Sequence, residues 1–338
     1  MKIKENFSLK AFNTFGIDVK AKFFVEINSD EDIFSFLKFI KETGEEFLFL
    51  GGGSNILFSK NFDGIVGKIN TKGIKICEED DNQVKIKIKA GEEWDNLVEF
   101  CANNNFNDIE NLSMIPGTCG AAPIQNIGAY GTELKDVLME LEAIKLESGK
   151  KIIFQNNDCE FSYRNSIFKN KLKGKFLITA IFLNLSKKPV FKIDYGTIRE
   201  EIKKLKEEKL SAKVIRKAIC NIRRKKLPDP LEIGNAGSFF KNPIISCQRF
   251  QKIKNQFAEI KSFPQENDKI KLSAAQLIEL CGWKAKKIKN VGTYSKQPLV
   301  LVNYGNASGE EIVSFANMIE QSVFEKFGIN LEKEVNQI

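Results

Sequence analysis

Alternating hydrophobic and polar positions near the start of the chain predict a strand, a helix and a second strand. The run at 23–27 is typical of a strand. Apolar residues then recur at 33, 36, 37 and 40 behind Ser29, and this spacing predicts a helix that the serine caps. A strand over 47–50 leads directly into the glycines at 51–53. This βαβ pattern places a glycine-rich turn where phosphates are often bound, although it lacks the Rossmann and P-loop signatures.

From about residue 69 the pattern changes to short alternating segments, such as 84–89, which predict half-buried strands. A helix follows with Trp94, Leu97, Val98 and Cys101 on one face. Residues 176–183 predict a further strand. Two more helices are then predicted, with positions 198, 202 and 205 inward on the first and 214, 215, 218 and 222 inward on the second.

The sequence Leu-Pro-Asp-Pro at 227–230 stops the last of these helices and marks the predicted domain boundary. Beyond it, the pattern predicts a helix near 274–281 and a strand at 299–302. A final helix is predicted with a capping box from Ser308 to Glu311 and a stop at Gly328.

The chain has 338 residues, no histidine and seven cysteines. Its length predicts two or three domains. The absence of histidine excludes Ser-His-Asp and Cys-His hydrolases and histidine-ligated zinc, so proton transfer must use Ser, Tyr, Cys, Lys, Asp or Glu. The cysteines never form a Cys-x-x-Cys pair, so we expect neither a metal site nor a disulfide framework.

The net charge of +8 has three interpretations: nucleic-acid binding, an anionic small ligand, or a biased composition. The densest basic run, 223–226, closes a predicted helix, where cations complement the helix dipole, so we expect no nucleic-acid partner. No apolar run approaches the ~20 residues of a membrane span, and the first residues lack the apolar region of a secretory signal. We therefore expect a cytoplasmic protein that does not contact a membrane.

Two glycine-rich segments are the most informative features of the sequence. Residues 117–131 contain four glycines, three alanines and one proline, without a charged residue. Residues 51–55 read Gly-Gly-Gly-Ser-Asn. Glycines allow the backbone to approach a ligand closely, and backbone amides in such loops bind phosphates. The alternative is a buried turn between strands, but two such segments favour one long phosphate-bearing ligand.

Three segments place a polar side chain where it could take part in catalysis or ligand binding. Ser238 stands between a glycine and two phenylalanines, although a turn filler is an equal alternative. Arg164 lies among aromatic and apolar residues, where a guanidinium usually pairs with a carboxylate or phosphate, either internal or bound. Residues 329–335 alternate like a strand that puts Glu332 and Glu334 on one face. If that face is buried, one of these carboxylates needs a partner; otherwise both are solvated at an exposed edge.

These segments together resemble, nearly end to end and in order, the UDP-N-acetylenolpyruvoylglucosamine reductase family, flavoenzymes of peptidoglycan precursor synthesis. The segments that match the family are Asn13-Thr-Phe-Gly16, Leu50-Gly-Gly-Gly-Ser-Asn55, residues 116–131, Tyr163-Arg-Asn-Ser-Ile-Phe168, Lys226-Leu-Pro-Asp-Pro230, residues 235–243 and residues 331–335. The sequence around Tyr195 resembles the form of the family in which a tyrosine loop covers the substrate.

The resemblance implies an α+β flavoprotein with an FAD-binding fold of the vanillyl-alcohol-oxidase type and a C-terminal substrate-binding domain. It implies three domains. Residues 1–68, joined by a C-terminal strand at about 329–338, would form the first FAD-binding subdomain. Residues 69–226 would form the second, with the tyrosine loop, and residues 227–328 would bind the UDP-sugar. We expect a monomer.

The resemblance also implies a reaction. NADPH reduces the bound FAD and leaves, and flavin N5 then delivers a hydride to C3 of UDP-N-acetylglucosamine enolpyruvate. A proton added at C2 gives UDP-N-acetylmuramate. Ser238 would be the proton donor, and Arg164 and Glu334 would stabilise the charge that develops on the substrate carboxylate.

Further residues match the ligand contacts of the family. Those that match its FAD contacts are Gly51, Gly52, Gly53, Ser54, Asn55, Gly117, Gly120, Ala121, Gln125, Asn126, Gly128, Tyr130 and Arg223. Those that match its UDP-sugar contacts are Tyr163, Tyr195, Lys226, Asn242 and Gln297. Two alternatives stay open: another flavin oxidoreductase on the same fold, and a non-catalytic protein that binds nucleotides or nucleic acid.

Overall fold

The computed structural model describes residues 1–207 and 209–338, which divide into two compact units. The first unit comprises residues 1–7, 21–53 and 63–224, and the second comprises residues 8–20, 54–62 and 225–338. The chain therefore enters each unit more than once. The division into three domains stays a prediction.

The helices and strands follow one another in a mixed order. The helices are α1 (Asp30–Thr43), α2 (Trp94–Asn103), α3 (Ile198–Leu205), α4 (Ala212–Lys226), α5 (Cys247–Gln256), α6 (Ala274–Leu280) and α7 (Gly309–Phe327). The strands are β1 (Ile3–Ser8), β2 (Lys20–Ile27), β3 (Phe47–Leu50), β4 (Ile56–Leu57), β5 (Phe62–Ile69), β6 (Ile74–Glu79), β7 (Gln83–Lys89), β8 (Gly128–Ala129), β9 (Thr132–Glu133), β10 (Leu138–Lys145), β11 (Lys151–Gln155), β12 (Phe176–Ser186), β13 (Gly234–Ser238), β14 (Ile244–Ser246), β15 (Ser262–Gln265), β16 (Lys269–Leu272), β17 (Lys287–Ile288), β18 (Val291–Tyr294), β19 (Gln297–Asn303) and β20 (Asn336–Gln337).

The first unit begins with a four-stranded sheet in the order β1-β2-β5-β3, in which β3 and β5 are parallel. The predicted βαβ pattern is confirmed. The Ser29 hydroxyl accepts a hydrogen bond from the amide of Asp32 at 3.2 Å, and Gly44 ends α1 in the left-handed conformation. Ile33 and Phe36 of α1 are buried against apolar residues of β2 and β5.

The second sheet of the first unit has the order β11-β10-β12-β7-β6, and all its neighbouring strands are antiparallel. Val84, Ile86 and Ile88 of β7 face the core, so the predicted alternation is confirmed. The predicted apolar face of α2 is confirmed as well, because all four of its residues belong to the same core.

Helices α3 and α4 complete the first unit with a small apolar cluster of their own. Ile198 of α3 is buried with Ile215, Ile219 and Ile222 of α4. The ring of Tyr130 packs against this cluster. Helix α4 therefore has an apolar face that contacts the segment containing Tyr130, and this contact sets the position of the polar residues near its C-terminus.

The second unit is built on a sheet in the order β13-β19-β18-β17. Helix α6 packs on β19, and α7 packs on β18 and β19. The predicted capping box of α7 is confirmed, with the Ser308 hydroxyl bonded to the Glu311 amide and the Glu311 carboxylate bonded to the Ser308 amide. Gly328 ends the helix with a positive φ of 66°, also as predicted.

The strand predicted over 329–335 is wrong. Within that range Lys333 forms a single bridge with Phe240, and a short strand, β20, begins only at Asn336 and pairs in parallel with β4. Glu332 is exposed and Glu334 is half-buried. Residues 329–335 do not form a strand of a sheet because their main-chain hydrogen bonds go to one short segment, residues 239–241. Separately, no helix among the described residues is long and apolar enough to cross a membrane.

Candidate functional site

The two glycine-rich segments contact each other inside the first unit. A Cβ atom on Gly52 would lie 2.8 Å from the Cα atom of Gly117, and one on Gly51 would lie 2.6 Å from the hydroxyl oxygen of Thr118. A methyl group at Gly52 would collide with the backbone of Gly117, so the sequence needs glycine there for close backbone approach, while one at Gly51 would have to displace the Thr118 side chain. The turn at Gly51–Gly53 and the glycine loop, residues 117–131, therefore form one continuous surface, as expected for one ligand.

Several amides of the glycine loop are bonded within the protein. The amide of Cys119 donates to the carbonyl of Glu92, and that of Gly120 donates to the carbonyl of Ala90, both at 2.8 Å. A Cβ on Gly120 would lie 2.5 Å from that of Ala90. These contacts fix the loop on the core. The amides of Cys119 and Gly120 therefore hold the loop in place and are not available to a phosphate. The sequence had predicted that amides of this loop face one.

Asn126, a predicted cofactor contact, has a side chain that bonds within the protein. It has a φ of 44° and is fully buried. Its Nδ2 donates to Glu133 at 2.9 Å and to the carbonyl of Ser162 at 3.2 Å, while its Oδ1 accepts from the amide of Lys135 at 3.0 Å. Both ends of its side chain therefore bond to the protein and hold the loop in shape.

Helix α4 brings Arg223 beside the glycine loop. Its Nη2 donates to the carbonyl of Met114 at 3.2 Å, and its guanidinium also bonds the hydroxyl of Tyr130. Its Nε is buried and lacks a hydrogen-bond partner among the described residues. Burial lowers the pKa of Arg223 and raises the pKa of Tyr130 from their ordinary values. A buried donor without a partner is costly, so this Nε fits a bound acceptor group.

Arg164 also contacts the glycine loop. Its backbone has a positive φ of 53°, and its Nη2 donates to the carbonyl of Gly128 at 2.6 Å. The guanidinium carbon stands 5.4 Å from the ring centroid of Tyr163. The hydrogen bond and the ring together hold the guanidinium at the loop, in the first unit.

Tyr195 is more than half exposed, at 52%, and its ring meets that of Tyr130 edge to face, with centroids 6.1 Å apart. The predicted substrate residue therefore contacts a predicted cofactor residue. Because both belong to the first unit, this contact joins the segment around Tyr195 to the glycine loop.

Ser238 and Glu334 lie close together in the second unit. Ser238 is opposite Val300 of β19, after a register shift in β13. The amide of Glu334 donates to the carbonyl of Phe239 at 2.8 Å, and the amide of Lys241 donates to the carbonyl of Glu332 at the same distance. These two bonds set an antiparallel register that places Glu334 beside the residue that follows Ser238.

Asn55 supports the same segment from another direction. Its Nδ2 donates to the carbonyl of Glu334 at 3.3 Å, and its own carbonyl accepts from the amide of Asn336 at 3.1 Å. The peptide groups on both sides of Glu334 are therefore bonded, one to Phe239 and the other to Asn55. Asn55, which the sequence matches to a cofactor contact, thus also positions a predicted catalytic residue.

The remaining predicted substrate residues of the second unit are Asn242, Gln297 and Lys226. The side chain of Asn242 accepts from the amide of Ala274, the first residue of α6, at 3.0 Å. Gln297 begins β19, the strand that pairs with Ser238. Lys226 is exposed at the end of α4. Ser238 and Gln297 therefore belong to the same pair of strands.

Sequence analysis missed three polar residues next to these groups. Lys68 donates to the carbonyl of Gly51 at 2.6 Å, and burial lowers its pKa. Asp95 accepts from the amide of Met114 at 2.5 Å and pairs with Arg216 through both its oxygens. Asn111 is buried and donates to the carbonyl of Tyr130. Lys68 could have been noticed in the sequence because it lies near the end of an apolar strand. The sequence contains no comparable signal for Asp95 or Asn111.

Comparisons with known proteins show the family to which the chain is similar. A family model described as "FAD binding domain" matches residues 21–154, and one described as "UDP-N-acetylenolpyruvoylglucosamine reductase, C-terminal domain" matches residues 229–338. The reductase of that name from Flavobacterium johnsoniae is 44% identical over 339 residues, with 100% of both chains covered. The one from Amoebophilus asiaticus is 44% identical over 338 residues, also with 100% of both covered.

A solved structure agrees at the level of the fold. The UDP-N-acetylenolpyruvylglucosamine reductase from Thermus caldophilus superposes with a TM-score of 0.67 at 20% sequence identity, covering 100% of this chain and 99% of that one. The predicted α+β fold, with an FAD-binding part and a C-terminal substrate-binding part, is confirmed. The protein belongs to the UDP-N-acetylenolpyruvoylglucosamine reductase family.

Proposed function

We propose that this protein uses FAD and NADPH to reduce UDP-N-acetylglucosamine enolpyruvate to UDP-N-acetylmuramate, a step of peptidoglycan precursor synthesis. The full-length relatives that bear the name of this reductase support the proposal. The structural observation on which it rests most directly is the main-chain register that puts Ser238 beside Glu334. A generic alcohol oxidase does not need this pair, because it returns no proton to carbon.

The residues of the first unit fit FAD. The Gly51–Gly53 turn and the glycine loop provide backbone close to a ligand, and the Nε of Arg223 is a buried donor without a hydrogen-bond partner in residues 1–207 and 209–338. Tyr130 holds the Arg223 guanidinium through its hydroxyl. When bound, FAD supplies the hydride chemistry that protein side chains lack.

Ser238 delivers the proton to C2 of the enolpyruvyl group. A serine hydroxyl is too weak an acid to act alone, but it relays a proton where negative charge develops on the substrate. Arg164 and Glu334 complete the hydrogen-bond network around the substrate carboxylate, which holds that charge. Arg164 is suited to this role because its planar guanidinium matches a carboxylate with two parallel hydrogen bonds.

Five further residues bind the nucleotide sugar in this proposal. Lys226, an exposed cation, pairs with the diphosphate as a point charge. Asn242 and Gln297 donate and accept hydrogen bonds, and Tyr163 and Tyr195 supply aromatic surface with a polar end. The reaction belongs in the cytoplasm, and the seven free cysteine thiols fit its reducing conditions. A monomeric state stays a prediction.

An isotope experiment tests the reaction. The purified protein is incubated with UDP-N-acetylglucosamine enolpyruvate and NADPH that is deuterated at the transferable position, and separately with ordinary NADPH in deuterium oxide. We expect deuterium from NADPH at C3 of the product, to the extent that flavin N5 transfers it before it exchanges with water, and deuterium from deuterium oxide at C2. Flavin-dependent NADPH oxidation without reduction of this ether would favour another flavin oxidoreductase. A protein without flavin whose binding to nucleic acid weakens steeply with salt would favour the non-catalytic alternative.

A further inference from the structure

Asn111 connects two parts of the first unit that are far apart in sequence. It lies in the 3-10 turn Glu110–Leu112 and is 1% exposed. Its Nδ2 donates to the carbonyl of Tyr130 at 2.8 Å and to the carbonyl of Lys192 at 2.8 Å. One amide nitrogen therefore binds both the glycine loop and the segment that contains Tyr195, residues 187–197, which we call the Tyr195 segment.

Beside Tyr195, the Tyr195 segment has an ion pair at the surface, between Asp194 and Arg199. Phe191 and Ile193 are partly buried beside Tyr130 in the apolar cluster of α3 and α4. The ammonium of Lys192 lies 3.2 Å from Asp136, at the surface. Val190, by contrast, is 91% exposed. From its buried position, Asn111 thus donates a hydrogen bond to the middle of a largely exposed segment.

The orientation of Asn111 costs free energy. Its Oδ1 is buried and lacks a hydrogen-bond partner among the described residues. An unsatisfied buried acceptor is unfavourable, and an apolar side chain of the same size avoids that cost. What an apolar side chain cannot supply is the pair of N–H donors that both carbonyls need. This choice of residue favours a role in positioning over a role in stability.

We propose that Asn111 is a positioning residue that holds the Tyr195 segment against Tyr130 and thereby sets the affinity for the enolpyruvyl nucleotide. The proposal rests on the proposed function, in which Tyr195 contacts that substrate. The carbonyl bonded on the Tyr195 segment is three residues before Tyr195. Loss of the two hydrogen bonds frees the tyrosine from its edge-to-face contact with Tyr130, so substrate binding must then order the segment and loses affinity.

The test compares Asn111→Leu with Asn107→Leu. Asn107 is a matched control because it is 4% exposed and its Nδ2 also bridges two carbonyls at 2.8 Å, those of Asn105 and Ser186. The first measurement is tryptic cleavage after Lys192 in the FAD-loaded protein without substrate. We expect at least tenfold faster cleavage in Asn111→Leu than in the control, because two hydrogen bonds are worth about tenfold or more in an equilibrium.

The second measurement is the dissociation constant for UDP-N-acetylglucosamine enolpyruvate, read from the flavin spectrum. We expect it to rise about tenfold or more in Asn111→Leu, while flavin reoxidation at saturating substrate stays within about threefold. If Asn111→Leu does not fold, Asn111→Ser, which keeps one donor, replaces it and should give a smaller rise in both measurements.

The outcomes separate the two proposals. Cleavage and affinity equal to those of the control overturn the role of Asn111. Faster cleavage in Asn111→Leu, combined with a wild-type protein that does not bind the enolpyruvyl nucleotide, supports the positioning role of Asn111 and overturns the proposed function. Faster cleavage with unchanged affinity in a wild-type protein that does bind it overturns the link between Asn111 and the substrate.

Discussion

Ser238 and Glu334 are positioned by main-chain hydrogen bonds, which do not depend on their own side chains. The bonds join Glu334 to Phe239 and Lys241 to Glu332, and Asn55 supports the carbonyl of Glu334. A substitution at either residue therefore removes a chemical group without changing the register. This separation makes the two roles testable one at a time.

Ser238→Ala should slow flavin reoxidation by the enolpyruvyl substrate by about 10²–10⁴-fold, because proton transfer loses its positioned donor. Flavin reduction by NADPH should stay near the wild-type rate. Stopped-flow absorbance measures both half-reactions. Ser246→Ala is the control, since it removes a hydroxyl that caps α5 in the same unit and should leave both rates unchanged. Equal loss of both half-reactions in Ser238→Ala would refute a proton-donor role.

Arg164→Lys should reduce turnover of the enolpyruvyl substrate about tenfold or more, because a lysine cannot form two parallel hydrogen bonds with a carboxylate. Steady-state NADPH oxidation measures the loss. Arg249→Lys provides the control, because Arg249 is exposed and donates a hydrogen bond to the carbonyl of Gly328. Near-normal turnover in Arg164→Lys would contradict the proposal that this arginine binds the substrate carboxylate.

Glu110 gives a prediction about pH. Its carboxyl is 5% exposed, and burial raises its pKa above the ordinary value of 4.5. The protonated form is therefore favoured in the folded state, and the stability it contributes is present at pH 4.5 and below and is lost as the pH rises through the folded pKa. We expect Glu110→Gln to lose less thermal stability than the wild type between pH 5 and pH 7, measured by calorimetry. An equal loss in both proteins would contradict a raised pKa.

At the scale of elements, the two glycine-rich segments owe their geometry to the absence of side chains. Backbone faces backbone at Gly52 and Gly117, so neither segment can move aside for a methyl group without moving the other. The sequence predicted two cooperating turns. It did not predict that the loop amides of Cys119 and Gly120 are used to hold the loop on the core.

Gly52→Ala should therefore abolish FAD binding or weaken it severely, since the new Cβ would lie 2.8 Å from the Cα atom of Gly117. The flavin content of the purified protein measures the effect. Gly44→Ala is the control: Gly44 lies in the same unit and ends α1 with a φ of 67°, and nothing lies within 4 Å of its Cβ position. It should cost about 1 kcal/mol of stability from backbone strain and keep its flavin. Full flavin content in Gly52→Ala would contradict the close-approach argument.

Predictions from the sequence succeeded where the determining contacts are local. Ser29 and Ser308 each accept a hydrogen bond from the amide three residues later, so the local sequence is enough to predict both helix caps. The prediction of a strand over 329–335 was wrong because alternating hydrophobicity does not show which segment the main chain will pair with. Here it pairs with one short segment around Phe240. Asn111 was missed because its two carbonyls are 19 and 81 residues away in sequence.

Across the whole molecule, the predicted residues separate by unit. The Gly51–Gly53 turn, the glycine loop, Arg223 and Tyr195 belong to the first unit, and Ser238 and Glu334 belong to the second. Composition and spacing alone predicted phosphate binding and excluded histidine chemistry. The substrate and the individual roles came from the resemblance, because a hydroxyl next to a carboxylate does not identify the molecule that it protonates.

The central claim is that one flavin passes reducing equivalents from NADPH to the enolpyruvyl ether. The most direct measurement is an anaerobic visible spectrum of the purified protein with one equivalent of NADPH, followed by UDP-N-acetylglucosamine enolpyruvate. We predict an oxidised flavin band that bleaches with NADPH and returns when the enol ether is added. A band that bleaches and stays bleached, or a protein that never binds flavin, would contradict the account.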